Sequence, residues 1–413
     1  MKKFYLGLLI FIYILFSGFI AVPNAYAFSN EEKLVLQCWR LVNEAYVDSS
    51  FNNQNWWSLR QQFLRKPLHS REETYGAIRE MLATLDDPYT RLLPPQSYHD
   101  LQISTSGELS GVGLQISINS ETKHIEVVTP LPNSPAESAG IRPRDEVVTI
   151  DGVETNSLSL DEAASLIRGK VGTEVTLEIK PQNQDQITVY HLKRDRLSLS
   201  SVIARLDDSN PDFPVGYLRL NQFSASSTKD LAHAIADFEQ QGVQGYVLDL
   251  RNNPGGLLQA GVEIARLWLN QASTVVYTVN RQGTMGSYDA LGEPLTKAPL
   301  VVLVNQGTAS ASEILAGALQ DNGRAILIGE KTYGKGLIQS LFELPDGAGL
   351  AVTVAKYETP KHKDINKLGI SPDVEISQEP ISYFQVATKD DLQYQSAIAS
   401  LVQPQSTIVS IQK

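Results

Sequence analysis

Cysteine is nearly missing from this chain: Cys38 is the only one in 413 residues. A lone thiol closes no intramolecular disulfide, so stability has to come from packing. Its place at helical spacing among Leu34, Val35, Leu41 and Val42 gives it a buried apolar role, not a reactive one. Histidine is also scarce. His69, His99, His124, His191, His233 and His362 lie far apart, with no HExxH and no Cys/His cluster, so neither a metal site nor a cofactor is expected. Basic charge is in deficit: 35 Lys and Arg against 46 Asp and Glu leave a formal charge of −11, which argues against nucleic acid as a partner. No internal repeat and no low-complexity tract interrupts the sequence. What remains is an ordinary globular composition, 42% hydrophobic and 20% charged, with length for two or three domains at roughly 100 to 200 residues each.

The one long apolar run stands at the start. Lys2 and Lys3 precede an uncharged stretch from Phe4 to Ile20, and Ala25-Tyr26-Ala27 supplies the small-x-small pattern that signal peptidases cut after. Residues 1–27 therefore read as an export signal, with the mature chain starting at Phe28; losing two lysines and no acid takes its formal charge from −11 to −13. An uncleaved anchor is the alternative, since the run approaches the ~20 apolar residues that span a bilayer. Either way the rest of the chain crosses a membrane, and no span is expected within the mature part.

Three textures follow. Residues 28–105 read as helical: Leu34 to Ala45 form a stripe, and Ser70 with Glu73 forms a capping box ahead of Ile78, Met81, Leu82 and Leu85. Residues 106–195 turn to short alternating runs broken by Gly, Pro and Asn, with one helix opened by Ser159 and Glu162 and ending at Gly169, a small β-rich module. From 196 to 385 apolar runs at Tyr217 to Leu220, Tyr246 to Leu250, Leu300 to Val304 and Ala325 to Ile328 alternate with helical patterns. That alternation predicts an α/β core with helices covering a largely parallel sheet. Residues 386–413 add a helix from Lys389 to Val402, opened by Thr388 and Asp391, and a tail.

In the β-rich module, Gly111-Val112-Gly113-Leu114 opens a strand with a glycine-permitted loop whose N–H groups can converge on an anion, beside an edge able to take an extended peptide. A plain turn would carry the same residues. With Ser134-Pro135-Ala136, Ala139-Gly140-Ile141, Asp145, Ile150-Asp151-Gly152 and Leu166-Ile167-Arg168-Gly169, however, the module resembles a PDZ domain over about 85 residues. The resemblance implies recognition of a free C-terminus. Arg168 is a candidate for coupling peptide occupancy to the core, or an ordinary surface arginine.

The strand ending at Asn305 runs into Gln306-Gly307-Thr308-Ala309-Ser310-Ala311-Ser312-Glu313 and an amphipathic helix. A serine there meets orphan N–H groups and the positive end of the helix dipole. Ser310 and Glu313 also read as a simple capping box. A serine nucleophile needs a base, and no histidine is compelling. Lys335 lies between Gly334 and Gly336, which let it approach another backbone closely. A neutral, desolvated lysine can serve, provided burial lowers its pKa from ~10.4 by about 3 units, roughly 4 kcal/mol. Gln339, four residues beyond, has an amide suited to orienting the amine.

These residues, with Leu248-Asp249-Leu250-Arg251-Asn252-Asn253-Pro254-Gly255-Gly256, Leu85 to Arg91, Lys356-Tyr357-x-Thr359-Pro360 and Gly369-Ile370-x-Pro372-Asp373, resemble the carboxyl-terminal-processing (tail-specific) serine proteases over nearly all of the mature chain. The resemblance implies an α/β fold with a crotonase-like protease core, an inserted PDZ domain and a helical N-terminal region. It makes Ser310 the nucleophile, Lys335 the general base and Gln339 its orienter. Ala311 and Gly256 are the candidate oxyanion donors; Asp321, about 16 Å along the helix from Ser310, is taken as structural, and Ser312 and Lys331 as decoys. Gln37 to Asn43, Asn55-Trp56-Trp57 and Gln259-Ala260-Gly261 resemble most the cyanobacterial and chloroplast enzymes, which trim the precursor of a photosystem II reaction-centre protein. The implied partner is the C-terminal region of a membrane-associated protein substrate, in thylakoid lumen or periplasm. A catalytically silent PDZ scaffold is the rival reading, against which the presence of Ser310, Lys335 and Gln339 together counts.

Overall fold

A computed structural model of the chain describes residues 28–119, 122–131, 134–182, 186–198, 201–283, 285–379, 381 and 385–402. The export signal and the tail beyond Val402 lie outside the described residues. The chain divides into two compact units, one from the described part of Met1–Pro95 with Gln339–Thr353, the other Gln96–Ile338 with the described part of Val354–Lys413. Residues 339–353, which the linear reading places in the core, thus belong by contact with the N-terminal helices.

The smaller unit is built on helices Asn30–Ala45, Trp56–Leu64 and Arg71–Ala83. Ser29 and Glu32 cap the first reciprocally. Ser70 caps the third through Glu73 N–H, but the Glu73 carboxylate reaches back to His69 N–H (2.8 Å) and not to Ser70, so the expected box is half built. Trp39 and Trp56 each donate their indole N–H to the other's carbonyl, at 2.8 and 3.2 Å, binding the first two helices together. Cys38 is fully buried among them, and burial pushes its thiol up to about 12. Arg91–Leu93 pairs antiparallel with Gly349–Ala351.

In the larger unit a helix, Pro95–Ser106, precedes the β-rich module. The module is an antiparallel sheet of β1 (Leu114–Ile118), β2 (Ile125–Pro130), β3 (Glu146–Ile150), β4 (Glu174–Lys180) and β5 (Thr188–Lys193), in that order, with helix α1 (Leu160–Ile167) packed beside β1. β1 is an edge strand, paired on one side only, by β2, and an edge strand is where an extended peptide can add. At the loop before it, Val112 is fully buried, and Gly113 has φ +78° with Ser134 so close that an added Cβ would lie 2.2 Å from the serine Cβ. Arg168 is the C-cap of α1 and sits 3.8 Å from Asp100 at the surface. Arg194 was not singled out by sequence, yet it closes the same helix end, donating to the carbonyls of Leu166 (2.8 Å) and Ile167 (3.0 Å). Entry and exit strands Glu108–Gly111 and Asp195–Ser198 pair as a two-stranded ribbon. Beyond the ribbon, Thr105 O accepts from Ala225 N–H (3.0 Å) and Ser201 O from Asn221 N–H (2.8 Å), on one short loop of the core.

The core sheet runs β6 (Val202–Asp207), β7 (Val215–Leu220), β8 (Gly245–Asp249), β9 (Leu300–Val304), β10 (Ile326–Gly329) and β11 (Val374–Glu375). β7 to β11 are parallel and only β6 is antiparallel, as the alternating pattern predicts. Side chains alternate between the faces. Leu218, Leu248 and Val302 pack under α2 (Ser227–Gln240), α3 (Leu258–Arg266) and α4 (Ala311–Asp321); Tyr217, Val247 and Val301 pack against α5 (Leu392–Val402). α5 begins three residues later than expected. Its cap is Asp391, whose carboxylate accepts Tyr394 N–H at 3.1 Å, while Thr388 makes a separate turn before it.

Candidate active site

Parallel strands in register end at one edge of the sheet, and the crevice outside their carboxyl ends is where α/β proteins place their sites. Asp249 at the end of β8 pairs with Leu303, and Val304 at the end of β9 with Gly329 of β10. The loops at 250–257, 305–310 and 330–336 therefore leave side by side, although up to eighty residues separate them in sequence.

The second loop folds tightly because Thr308 closes it on itself. Thr308 N–H donates to Asn305 O (2.9 Å), and its hydroxyl receives Asn305 N–H (3.0 Å) while donating to Leu250 O (2.9 Å). Asn252 and Asn305 join first and second loops reciprocally: Asn252 N–H to Asn305 Oδ1 at 2.8 Å, Asn305 Nδ2 to Asn252 Oδ1 at 3.0 Å. Ser310 then turns the chain into α4 with φ +58° and ψ −118°. A residue with a Cβ adopts such a conformation at a cost of about 1–3 kcal/mol, and only where its surroundings impose it.

Glu313 imposes it. Its carboxylate is completely buried. Oε2 accepts the backbone N–H groups of Ser310 and Lys335, both at 2.9 Å, and Oε1 accepts Gly334 N–H (2.7 Å) and the Thr332 hydroxyl (2.6 Å). The sequence shows Glu313 only as a possible cap for Ser310. The structure adds three long-range partners that no local pattern announces. On the other side of the same two residues, the Tyr357 hydroxyl donates to the carbonyls of Ser310 (3.1 Å) and Lys335. The glycines flanking Lys335 do what was expected of them: a Cβ on Gly334 would lie 2.9 Å from Gly369 N, and one on Gly336 2.8 Å from Asn366 N. Ser310 and Lys335 are both partly exposed.

Ala311 opens α4, next to Ser310. Of the adjacent glycines 255 and 256, Gly255 is the one whose missing side chain faces the Ser310 turn; a Cβ there would lie 2.9 Å from both Ala311 N and Ser310 Cβ. The Gly255 N–H is taken by Asn253 Oδ1 (2.9 Å). Gly256 faces Phe223, where a Cβ would lie 2.1 Å from Phe223 O. Among the described residues, no backbone hydrogen bond engages the N–H of Ala311 or of Gly256. Adjacent glycines are indistinguishable in sequence, and their division of labour appears only here.

Gln339 lies on the strand Leu337–Glu343, in the smaller unit, where its Nε2 donates to Thr353 Oγ1 at 3.3 Å. Lys335 precedes that strand, so the four-residue spacing does not by itself place the two on one face of a regular element. Ser312 is buried with its hydroxyl on Asn253 O (3.0 Å), and Lys331 is exposed. Asp321, at the far end of α4, accepts Lys361 N–H (3.0 Å) and Lys363 Nζ (3.3 Å). Burial alone would raise its carboxyl, but bonds from Thr359 and Lys361 and the Lys363 charge outweigh that and hold it below the usual range.

Behind the first loop lies a buried ionic group. The Arg251 guanidinium forks onto Asp249 (2.7 and 2.9 Å) and onto Asp391 (2.8 and 2.9 Å), and Tyr217 donates to Asp249 at 2.8 Å. Asp249 and Asp391 have no exposure. Desolvation opposes ionisation of Asp391, yet the bonds and charge of Arg251 hold its carboxyl below the usual range. The first two of these residues appear in the quoted motif; Asp391, 140 residues later, carries no sequence signal beyond its helix cap.

Residues 214–376 match the model of peptidase family S41, and residues 126–181 that of a PDZ domain. A carboxyl-terminal-processing protease of Synechocystis sp. is 62% identical over 376 residues, 91% of this chain and 88% of that one. One of Picosynechococcus sp. is 58% identical over 405 residues, 98% of this chain and 97% of that one. Among solved structures, a photosystem II D1 C-terminal processing protease is 42% identical with a TM-score of 0.55, covering 85% of this chain and 94% of that one.

Proposed function

The chain belongs to peptidase family S41, as a carboxyl-terminal-processing serine protease, and on that premise we propose that Ser310 and Lys335 form its catalytic dyad. The observation that carries this reading is the single buried carboxylate, Glu313, bonded to the backbone N–H of both. In the reaction, neutral Lys335 takes the Ser310 hydroxyl proton as Oγ attacks the scissile carbonyl. The tetrahedral oxyanion accepts from Ala311 and Gly256 N–H. The lysine ammonium then gives its proton to the leaving amine, and a water deprotonated by the same lysine releases the acyl group. Gln339 keeps the part the resemblance gives it, as orienter of the lysine amine. The strained Ser310 backbone presents Oγ at the turn, where the α4 dipole favours the developing charge.

The substrate we propose is the C-terminal extension of a photosystem II reaction-centre precursor, held by its free carboxylate at Gly111 to Leu114 with the chain added along β1. The enzyme is exported by residues 1–27 to the thylakoid lumen or periplasm. No helix among the described residues is long and apolar enough to cross a membrane.

Ser310→Ala, Lys335→Ala and Lys335→Arg should each abolish cleavage of a peptide bearing that extension, while binding of the uncut peptide persists. The arginine variant fails because guanidinium stays charged and cannot accept the serine proton. Retained turnover in purified Ser310→Ala protein would end the reading.

A further inference from the structure

Tyr357 belongs to the apolar core, with 1% of its surface exposed, on the strand Gly349–Glu358. Its own N–H donates to Gly336 O (3.1 Å) and its ring packs among the residues beneath α4. Nothing about burying that ring requires a hydroxyl, which must find a partner inside the protein to be tolerated there. The partners it finds are the carbonyls of Ser310 and Lys335, the two residues assigned to the chemistry, 25 positions apart in sequence.

With Glu313 the pattern is complementary. One buried carboxylate oxygen takes the N–H of Ser310 and of Lys335, and one buried hydroxyl shares its single proton between the C=O groups of the same two residues. Each dyad residue is thus gripped at both ends of its backbone unit by side chains that grip the other as well. The N–H and C=O of one residue lie in the two peptide planes that flank its Cα; with one plane held the residue can still pivot about φ or ψ, and with both held its side chain leaves on a set vector. Proton transfer between Oγ and Nζ is steeply dependent on such vectors.

We propose that the Tyr357 hydroxyl is a positioning group for the reaction, holding the backbones of Ser310 and Lys335 in one arrangement from the carbonyl side. This rests on the Ser–Lys reading above. A positioning role predicts loss of turnover without loss of substrate affinity, since Tyr357 is buried beneath the dyad and offers nothing to the peptide.

The test uses the full chain and a peptide that the parent enzyme cleaves, with kcat and KM measured for the parent, Tyr357→Phe and Tyr357→para-aminophenylalanine, beside Ser310→Ala and Lys335→Ala. Tyr357→Phe keeps the ring and removes one oxygen; kcat should fall by at least about tenfold with KM changed by less than about twofold. The para-amino group restores an N–H donor at the same place, and should bring kcat back to within about threefold of the parent. Parental kcat in Tyr357→Phe, a loss carried by KM, an amino variant as slow as the phenylalanine one, or a Phe variant that does not fold would each overturn the inference. If Ser310→Ala or Lys335→Ala stays active, the dyad reading fails and takes this one with it. Dead dyad variants beside an unimpaired Tyr357→Phe sink the positioning role alone.

Discussion

Glu313 stands one helical turn after Ser310, where a sequence reader sees a cap. Its four bonds reach residues 3, 19, 21 and 22 positions away, and only the first is a local pattern. Glutamine at this position has nearly the same shape, but one of its two terminal groups donates and cannot accept. Two of the four donors would then face an N–H inside a dry site, each at a cost of about 1–3 kcal/mol. Glu313→Gln should therefore lower kcat by at least about a hundredfold with little change in KM, measured against the same peptide. A variant with unaltered kcat would mean that the carboxylate is only a cap after all. Cys38 shows the opposite case, in which local pattern sufficed: the apolar spacing predicts a buried thiol, and its raised pKa predicts no alkylation at neutral pH until the protein is unfolded, which a thiol titration in and out of urea would check.

Elements were legible wherever one period dominated. β9 is an uninterrupted apolar run and β8 is one up to Asp249 at its end, as suits strands buried on both faces, and α4 stands where the spacing of Ile314, Leu315 and Ala318 puts it, although all of 311–319 is buried and not one stripe. Misplacements fell where adjacent residues offer the same chemistry. Thr388 and Asp391 are both good caps, and Asp391 is the one that Arg251, 140 residues earlier, holds in place. That ionic group ties the start of α5 to the loop bearing the glycines, and removing one partner of a buried pair strands the other, at about 3–5 kcal/mol. Asp391→Asn should lower stability accordingly in urea unfolding. The pH dependence has a definite sign. The folded-state carboxyls of Asp391 and Asp321 lie below their ordinary values, so their contribution is complete above the unfolded value of about 4 and drains away as the pH falls through the folded one. The stability gap between parent and Asp391→Asn should hold from about pH 5 to 7 and close in stronger acid. A gap that widens toward acid would contradict the pairing.

At the scale of the whole molecule, selection and cutting are assigned to different parts of the chain. If Gly111 to Leu114 read a terminal carboxylate, amidating the substrate peptide should raise KM by about tenfold or more, the loss expected when a charge-assisted anchor goes, while kcat at saturation changes little. Equal KM for acid and amide would remove that reading. The arrangement also has a consequence for descent and engineering. The PDZ module enters and leaves through one paired ribbon, and the chain on either side is pinned to the same core loop, Asn221 and Ala225. Cutting there leaves two ends already neighbours, so the module is an exchangeable cassette: a different reader spliced between the ribbon strands could redirect the protease to new tails, with no change to the residues that break the bond.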